Sequence, residues 1–207
     1  MQGISVRDAT LADVPAVVAL VESAYRGDAS RAGWTTEADL LVGRRTDEEE
    51  VTRLLTTPGN VILVATHDVH DVRDTHETHD TQETHDEHGP ATDTGGAGGA
   101  GAPVGCCHLQ RRPDGTAYFG LFAVRPAAQG GGIGGVLLAA AEQRARRDWA
   151  AKKMEMTVIG QREDLIAWYR RKGYQPNGHS FPWPPSENVR STPLRDDLYF
   201  AAFEKPL

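Results

Sequence analysis

Val124-Arg125-Pro126-Ala127-Ala128-Gln129-Gly130-Gly131-Gly132-Ile133-Gly134 is the stretch whose reading decides the fold. Glycines tolerate positive φ and let a backbone come close to a bound group. Behind them Val136-Leu137-Leu138-Ala139-Ala140-Ala141 begins a helix, and the first N–H groups of a helix lack internal acceptors. Those groups and the helix dipole together make an anion site. Pro126 ends the preceding strand, so the turn is sharp. A Walker-type loop is excluded because no lysine lies between Met1 and Trp149. A Rossmann loop is expected near the first strand of a βαβ unit, whereas this one comes mid-chain, after a hairpin. What remains is Gln-x-x-Gly-x-Gly at Gln129, Gly132 and Gly134, with a plain flexible turn as the alternative.

Working outward, the hairpin consists of Val104 to Arg111 and Thr116 to Val124 around the turn residues Arg112-Pro113-Asp114-Gly115. Upstream, Ile4 to Arg7 reads as a strand and Ala12 to Tyr25 as a helix capped by Thr10, with Val14, Val17, Val18 and Val21 as its apolar stripe. Residues Arg26 to Arg45 carry no periodicity; Thr46 to Leu55 reads as a helix capped by Thr46, and Val61 to Ala65 as a strand. Downstream come a helix over Gly132 to Trp149, a strand over Lys153 to Ile159 and a helix over Arg162 to Lys172. A proline-rich stretch, Phe181 to Pro185, precedes a last strand, Asp197 to Glu204. Antiparallel strands followed by strand–helix–strand–helix–strand imply an α/β (α+β) fold, a mixed sheet flanked by helices.

The 207 residues suit a single domain, 1–207, and the formal charge is −7. Most of that charge sits in one segment: 67–103 holds nine acidic residues and one basic one, leaving the rest near neutral. No nucleic-acid surface is indicated. That segment is a triplet repeat of His or its near codon neighbours, then Asp or Glu, with histidines at 67, 70, 76, 79, 85 and 88; a Gly/Ala run follows. It buries almost nothing, so it reads as a flexible insert in a surface loop. A transition-metal site is the competing reading, although a period of three implies no preformed cage. Adjacent Cys106 and Cys107 point to opposite faces of a strand and read as one buried and one exposed thiol; no zinc-ligand set exists. No apolar run approaches the ~18 residues of a membrane span, and Arg7, Asp8 and Asp13 interrupt any leader, so a cytoplasmic location is expected.

Val124-x-Pro126-x-x-Gln129-Gly130-x-Gly132-Ile133-Gly134, backed by Leu137-Leu138, resembles the acyl-CoA-binding motif of the GNAT superfamily of N-acetyltransferases. Downstream, Leu165-Ile166-Ala167-Trp168-Tyr169-Arg170-Arg171-Lys172-Gly173-Tyr174 is similar to that family's Tyr-x-x-x-Gly-Phe/Tyr signature. The likeness spans the chain except the insert. It implies a mixed, mostly antiparallel sheet of about six to seven strands. It implies acetyl transfer from acetyl-CoA to a primary amine by direct attack in a ternary complex, with no metal required. A small-molecule or peptide amine would be the partner, and a homodimer is admitted because dimers are frequent in the family.

Residue by residue, the resemblance places the pantetheine arm along the strand backbone at Phe122, Ala123 and Val124. The amides of Gln129, Gly130, Gly131, Gly132, Ile133 and Gly134 would cradle the pyrophosphate. The thioester would lie in a splay between Thr116–Val124 and Lys153–Ile159. Tyr169 matches the residue that protonates the leaving thiolate, a task suited to a hydroxyl with pKa ~10; packing is its other possible role. Glu155, among apolar strand neighbours, and Glu22, on the first helix, are the candidate bases, unless a positioned water or solvent suffices. Arg162 stands where many members have Asn, and its guanidinium is a candidate for reaching a phosphate. Trp34 and Trp183 would line the acceptor's mouth, while Trp168 and Tyr174 read as packing. A catalytically degenerate acyl-CoA-binding sensor and a His-repeat metal-binding protein are the alternatives.

Overall fold

The computed structural model describes residues 3–68, 101–184 and 190–207. In chain order its strands are β1 (Ile4–Asp8), β2 (Leu41–Gly43), β3 (Asn60–His67), β4 (Gly105–Arg111), β5 (Thr116–Val124), β6 (Lys153–Ile159), β7 (Gln175–Pro182), β8 (Ser191–Pro193) and β9 (Tyr199–Pro206). The helices are α1 (Val14–Tyr25), the single turn α2 (Gly27–Ser30), α3 (Glu48–Thr56), α4 (Ile133–Trp149) and α5 (Glu163–Arg171). Seven strands form one sheet in the order β1-β3-β4-β5-β6-β9-β7, and β2 pairs with β8 separately. Only β5 and β6 run parallel; the other pairs in the sheet are antiparallel. This is the mixed, mostly antiparallel sheet flanked by helices that the order of elements implied.

Helices cover both faces. On one, Leu137, Leu138, Ala141 and Ala145 of α4 pack on Leu63, Cys107, Phe119 and Met154. On the other, Val17 and Val21 of α1 and Val51 of α3 pack on Ile62, Val64, Cys106 and Leu121. Cys106 and Cys107 do point to opposite faces, but both thiols are buried. The expectation of one exposed thiol therefore fails, because β4 is central and covered on each side. Burial pushes the Cys106 thiol up to about 12, so it stays protonated.

Three local expectations are corrected. Helix α3 is capped by Asp47, whose carboxylate accepts from the Glu50 amide at 2.8 Å, and not by Thr46. At α1 a 3₁₀ turn, Leu11–Asp13, comes first and the helix proper starts at Val14, followed by Pro15. There the Asp13 carboxylate, held by Arg7 at 2.7 and 2.8 Å, accepts from the Thr10 amide at 2.7 Å. The stretch read as a proline-rich loop in part belongs to β7, an edge strand with exposed residues and with prolines at 176 and 182.

The feature that positions the site is where β5 and β6 part. They pair only at Thr116↔Lys153, Ala117↔Met154 and Tyr118↔Glu155. Beyond that point β6 pairs with β9 alone, from Met156↔Phe203 to Ile159↔Phe200. The β4–β5 register shifts between Cys106 and His108, and Leu121 takes φ +43°. A non-glycine residue there costs on the order of 1–2 kcal/mol, a strain placed at the bulge that turns β5 away from β6.

Candidate active site

The loop after β5 opens its backbone to the space beyond. Gly130 and Gly132 have φ +85° and +84°, and a Cβ at either would meet no atom within 4 Å. Conformation, not crowding, therefore requires glycine there. Gly132 caps α4, its carbonyl accepting from Gly135 at 2.9 Å and Val136 at 3.1 Å. The Ile133 and Gly134 amides, in the first turn, have no intrahelical acceptor. Gly134 allows a close approach as well, since a Cβ would stand 3.1 Å from Phe122 Cζ. Gln129 acts through its side chain: Oε1 accepts from the Trp34 amide at 2.9 Å, and Nε2 donates to the Val124 carbonyl at 3.0 Å and to Thr35 Oγ1 at 2.9 Å. It ties the loop to the strand end and to residues 34–35.

This loop borders a cavity of about 540 Å³ whose walls include Phe122, Val124, Leu165, Trp168 and Trp34. Backbone amides at one end and an apolar trough along β5 fit a diphosphate with a long thiol arm. Trp168, expected only to pack, forms part of that wall, stacked on Phe122 with ring centroids 5.8 Å apart.

A second cavity, of about 280 Å³, lies across the strand opening, and Tyr25, Phe122 and Leu165 line both. Tyr25 donates its hydroxyl to the Phe122 carbonyl. Tyr169, on α5, is 4% exposed and lines the second cavity. Its ring packs against Trp168 at 5.0 Å, Tyr174 at 5.8 Å and Phe122 at 6.4 Å. Burial pushes its pKa well above that of a free tyrosine, so it is a hydroxyl at neutral pH. Tyr174 is core: its hydroxyl donates to Glu142 at 3.1 Å.

The second cavity is polar, and its charged side chains come from distant segments. Glu37 accepts from Arg26 and Arg162, each at 2.8 Å. Burial alone would raise its pKa, but the field of Arg162, Arg45 and Arg26 outweighs that and holds the carboxyl below its usual range. Arg162 also donates to the Thr35 carbonyl at 2.6 Å and stands 5.3 Å from the Tyr25 ring centre. It is paired with Glu37 and lines the second cavity, and it does not line the cavity that the glycine loop borders. His108 closes another wall. Asn60 donates through Nδ2 to the Thr57 carbonyl at 3.2 Å, leaving its Oδ1 to accept from His108 Nε2–H at 2.7 Å. The lone pair then sits on Nδ1. Burial pulls the His108 pKa down to about 4.

The two candidate bases lie elsewhere. Glu155 is bound by Arg112 at 2.8 Å and Lys153 at 2.6 Å, in the still-paired part of β6, and is absent from the lining of either cavity. Glu22 accepts from the Arg45 and Thr46 amides at 2.7 and 2.9 Å, fixing the chain before α3. Both carboxylates are occupied in structural roles, and neither is brought to the strand opening. Of the two tryptophans expected at the acceptor's mouth, Trp34 borders the first cavity. Trp183, stacked on Phe200 at 5.1 Å, lines a third cavity of about 190 Å³ that shares Glu37 and Arg45 with the second. Tyr25, Glu37, Arg45 and His108 escaped the sequence reading; Tyr25 ends a helix, but no local pattern marks the others.

Among the described residues no group of three or more His, Cys, Asp or Glu could hold a metal ion, and no helix is long and apolar enough to cross a membrane. The repeat histidines at 70, 76, 79, 85 and 88 lie outside the described residues, and so does the metal-site reading placed on them.

The family model described as the Acetyltransferase (GNAT) family matches residues 60–174, more than half of the chain. Among curated proteins no match is found. Solved structures resemble the fold. The ribosomal-protein-S18-alanine N-acetyltransferase from Escherichia coli gives a TM-score of 0.62 at 11% identity, covering 99% of this chain and 94% of that one. A GCN5-related N-acetyltransferase from Kribbella flavida gives 0.60 at 17%, covering 99% and 98%. The ribosomal-protein-alanine N-acetyltransferase from Brucella melitensis gives 0.59 at 21%, covering 98% and 99%. At these identities the likeness speaks to fold.

Proposed function

The chain belongs to the GNAT acetyltransferase family, and from that premise we propose that it transfers acetyl from acetyl-CoA to the primary amine of a small acceptor. The observation that carries the proposal is the opening between β5 and β6, with the glycine-loop cavity and the polar cavity sharing Tyr25, Phe122 and Leu165 as walls and Tyr169 lining the polar one. In this reading the amides of residues 130–134 hold the diphosphate, and the edge of β5 from Phe122 to Val124, left unpaired by β6, guides the pantetheine. The thioester then reaches the opening with the acceptor approaching from the other side. The amine nitrogen bonds to the thioester carbonyl carbon, the carbon–sulfur bond breaks and the sulfur leaves as thiolate. The Tyr169 hydroxyl, un-ionised at neutral pH, supplies the thiolate's proton and regains one from solvent. Solvent in the polar cavity takes the proton lost by the amine, since Glu155 and Glu22 are engaged elsewhere.

The test is a panel of primary amines with acetyl-CoA, following release of free thiol. Amine-dependent thiol release with matching acetylated product supports the reading. Acetyl-CoA binding without amine-dependent release from any member of the panel contradicts it, and favours an acyl-CoA sensor.

A further inference from the structure

We propose that the second cavity takes an amine that also carries a carboxylate, of the size of an amino acid, and that Arg45 binds that carboxylate. The inference rests on the acetyl-transfer reading and names its acceptor class. Of the charged side chains lining the cavity, Glu37, Glu50 and Arg162 are already partnered. Glu37 is shared by Arg26 and Arg162, and Glu50 pairs with Arg190 at 3.2 Å. Arg45 also lines both this cavity and the adjoining one, yet among the described residues no carboxylate oxygen lies within 4.0 Å of it to form an ion pair. Of the two arginines lining this cavity, it is the one without a carboxylate in direct contact among the described residues, although its field reaches Glu37.

The position is also built. Glu22 accepts from the Arg45 amide at 2.7 Å, which fixes the backbone from which the guanidinium extends. That guanidinium carbon stands 5.9 Å from the Tyr25 ring centre, while the same tyrosine's hydroxyl reaches the Phe122 carbonyl at the strand opening. Tyr25 thus spans from the cation to the place where the amine must attack. A short acceptor with an amine at one end and a carboxylate at the other fits that span, and a half-buried guanidinium offers a carboxylate two parallel hydrogen bonds.

The test pairs each L-amino acid with its own carboxamide as acceptor, in the full-length protein, with acetyl-CoA and thiol release as the readout. At least one amino acid is expected to exceed its carboxamide in kcat/KM by roughly tenfold to a hundredfold, the scale of a charge-assisted pair in a cavity. Arg45→Gln should collapse that ratio, and Arg45→Lys should restore part of it. Carboxamides that match the acids in the unaltered protein would overturn the proposal without recourse to any variant. So would an Arg45→Gln protein that slows acid and amide by the same factor, the mark of a structural role. If no amine of any kind is acetylated, the acetyl-transfer reading fails separately. Calorimetric titration with the same amino acids then decides the seat: binding that Arg45→Gln abolishes sustains it, and absence of binding ends it.

Discussion

The cavities on either side of the parting strands are made of different material. The anion end of the first is built of backbone, with glycines at 130, 132 and 134, a helix start and a strand edge within residues 122–135, while Trp34, Leu165 and Trp168 complete its walls. The second is a side-chain site, assembled from Tyr25, Glu37, Arg45, His108, Arg162 and Tyr169 on five separate stretches of the chain. A backbone site can hold a ligand whose shape does not vary, because it depends on conformation more than on side-chain identity. A side-chain site can be re-specified residue by residue while the sheet beneath it stays the same. The contrast suggests a division of labour, with a constant donor on one side and a particular acceptor on the other.

The hardest test of that contrast falls on Tyr169, which serves the junction. Tyr169→Phe should lower kcat by roughly 10²–10⁴-fold, the usual contribution of a positioned acid, with acetyl-CoA affinity retained. Steady-state kinetics with a turned-over amine decide it, and an unchanged kcat would remove Tyr169 from the mechanism. Next in size is Glu37→Ala, which leaves Arg26 and Arg162 buried against each other without their carboxylate. Losing one partner of a buried ionic group costs about 3–5 kcal/mol, measurable in urea unfolding as a lower midpoint.

A smaller effect belongs to His108 and depends on pH. Its folded pKa, about 4, lies below the usual value of 6.5. Above 6.5 the imidazole is neutral whether the chain is folded or not. Between 6.5 and 4 the unfolded chain binds the proton and the folded one does not, so stability falls with pH through that window and levels below it. The loss amounts to at most about 3 kcal/mol, and His108→Gln should flatten that part of the profile in thermal melts. The smallest is Gln129→Ala, which removes the brace from the loop to Val124 and to residues 34–35. It should raise the KM for acetyl-CoA several-fold, in keeping with about 1 kcal/mol, while leaving kcat close to its original value.

The same contrast explains what the sequence could disclose. The glycine loop was legible because positive φ and a helix start are local matters, settled within a dozen residues. The strand Lys153–Ile159 is legible to the residue because Met154, Met156 and Val158 alternate with polar neighbours. Glu37 and Arg45 were not legible: they lie in the aperiodic run 26–45, and Glu37 gains its meaning only when Arg162, 125 residues away, folds against it. Glu22 and Glu155 looked like free carboxylates in sequence, since the amides and cations that occupy them come from elsewhere in the fold. Strand β7 escaped notice because an exposed edge strand carrying prolines shows no apolar alternation.

The division between a backbone-built donor site and a side-chain-built acceptor site is tested most directly by titrating acetyl-CoA calorimetrically into two variants. Gly132 sits at φ +84°, where a β-branched residue is strained by about 1–3 kcal/mol. Gly132→Val should therefore weaken acetyl-CoA binding by tenfold or more, whereas Arg45→Gln should bind it as the unaltered protein does. Equal loss of acetyl-CoA binding in both variants, or none in Gly132→Val, would contradict the account.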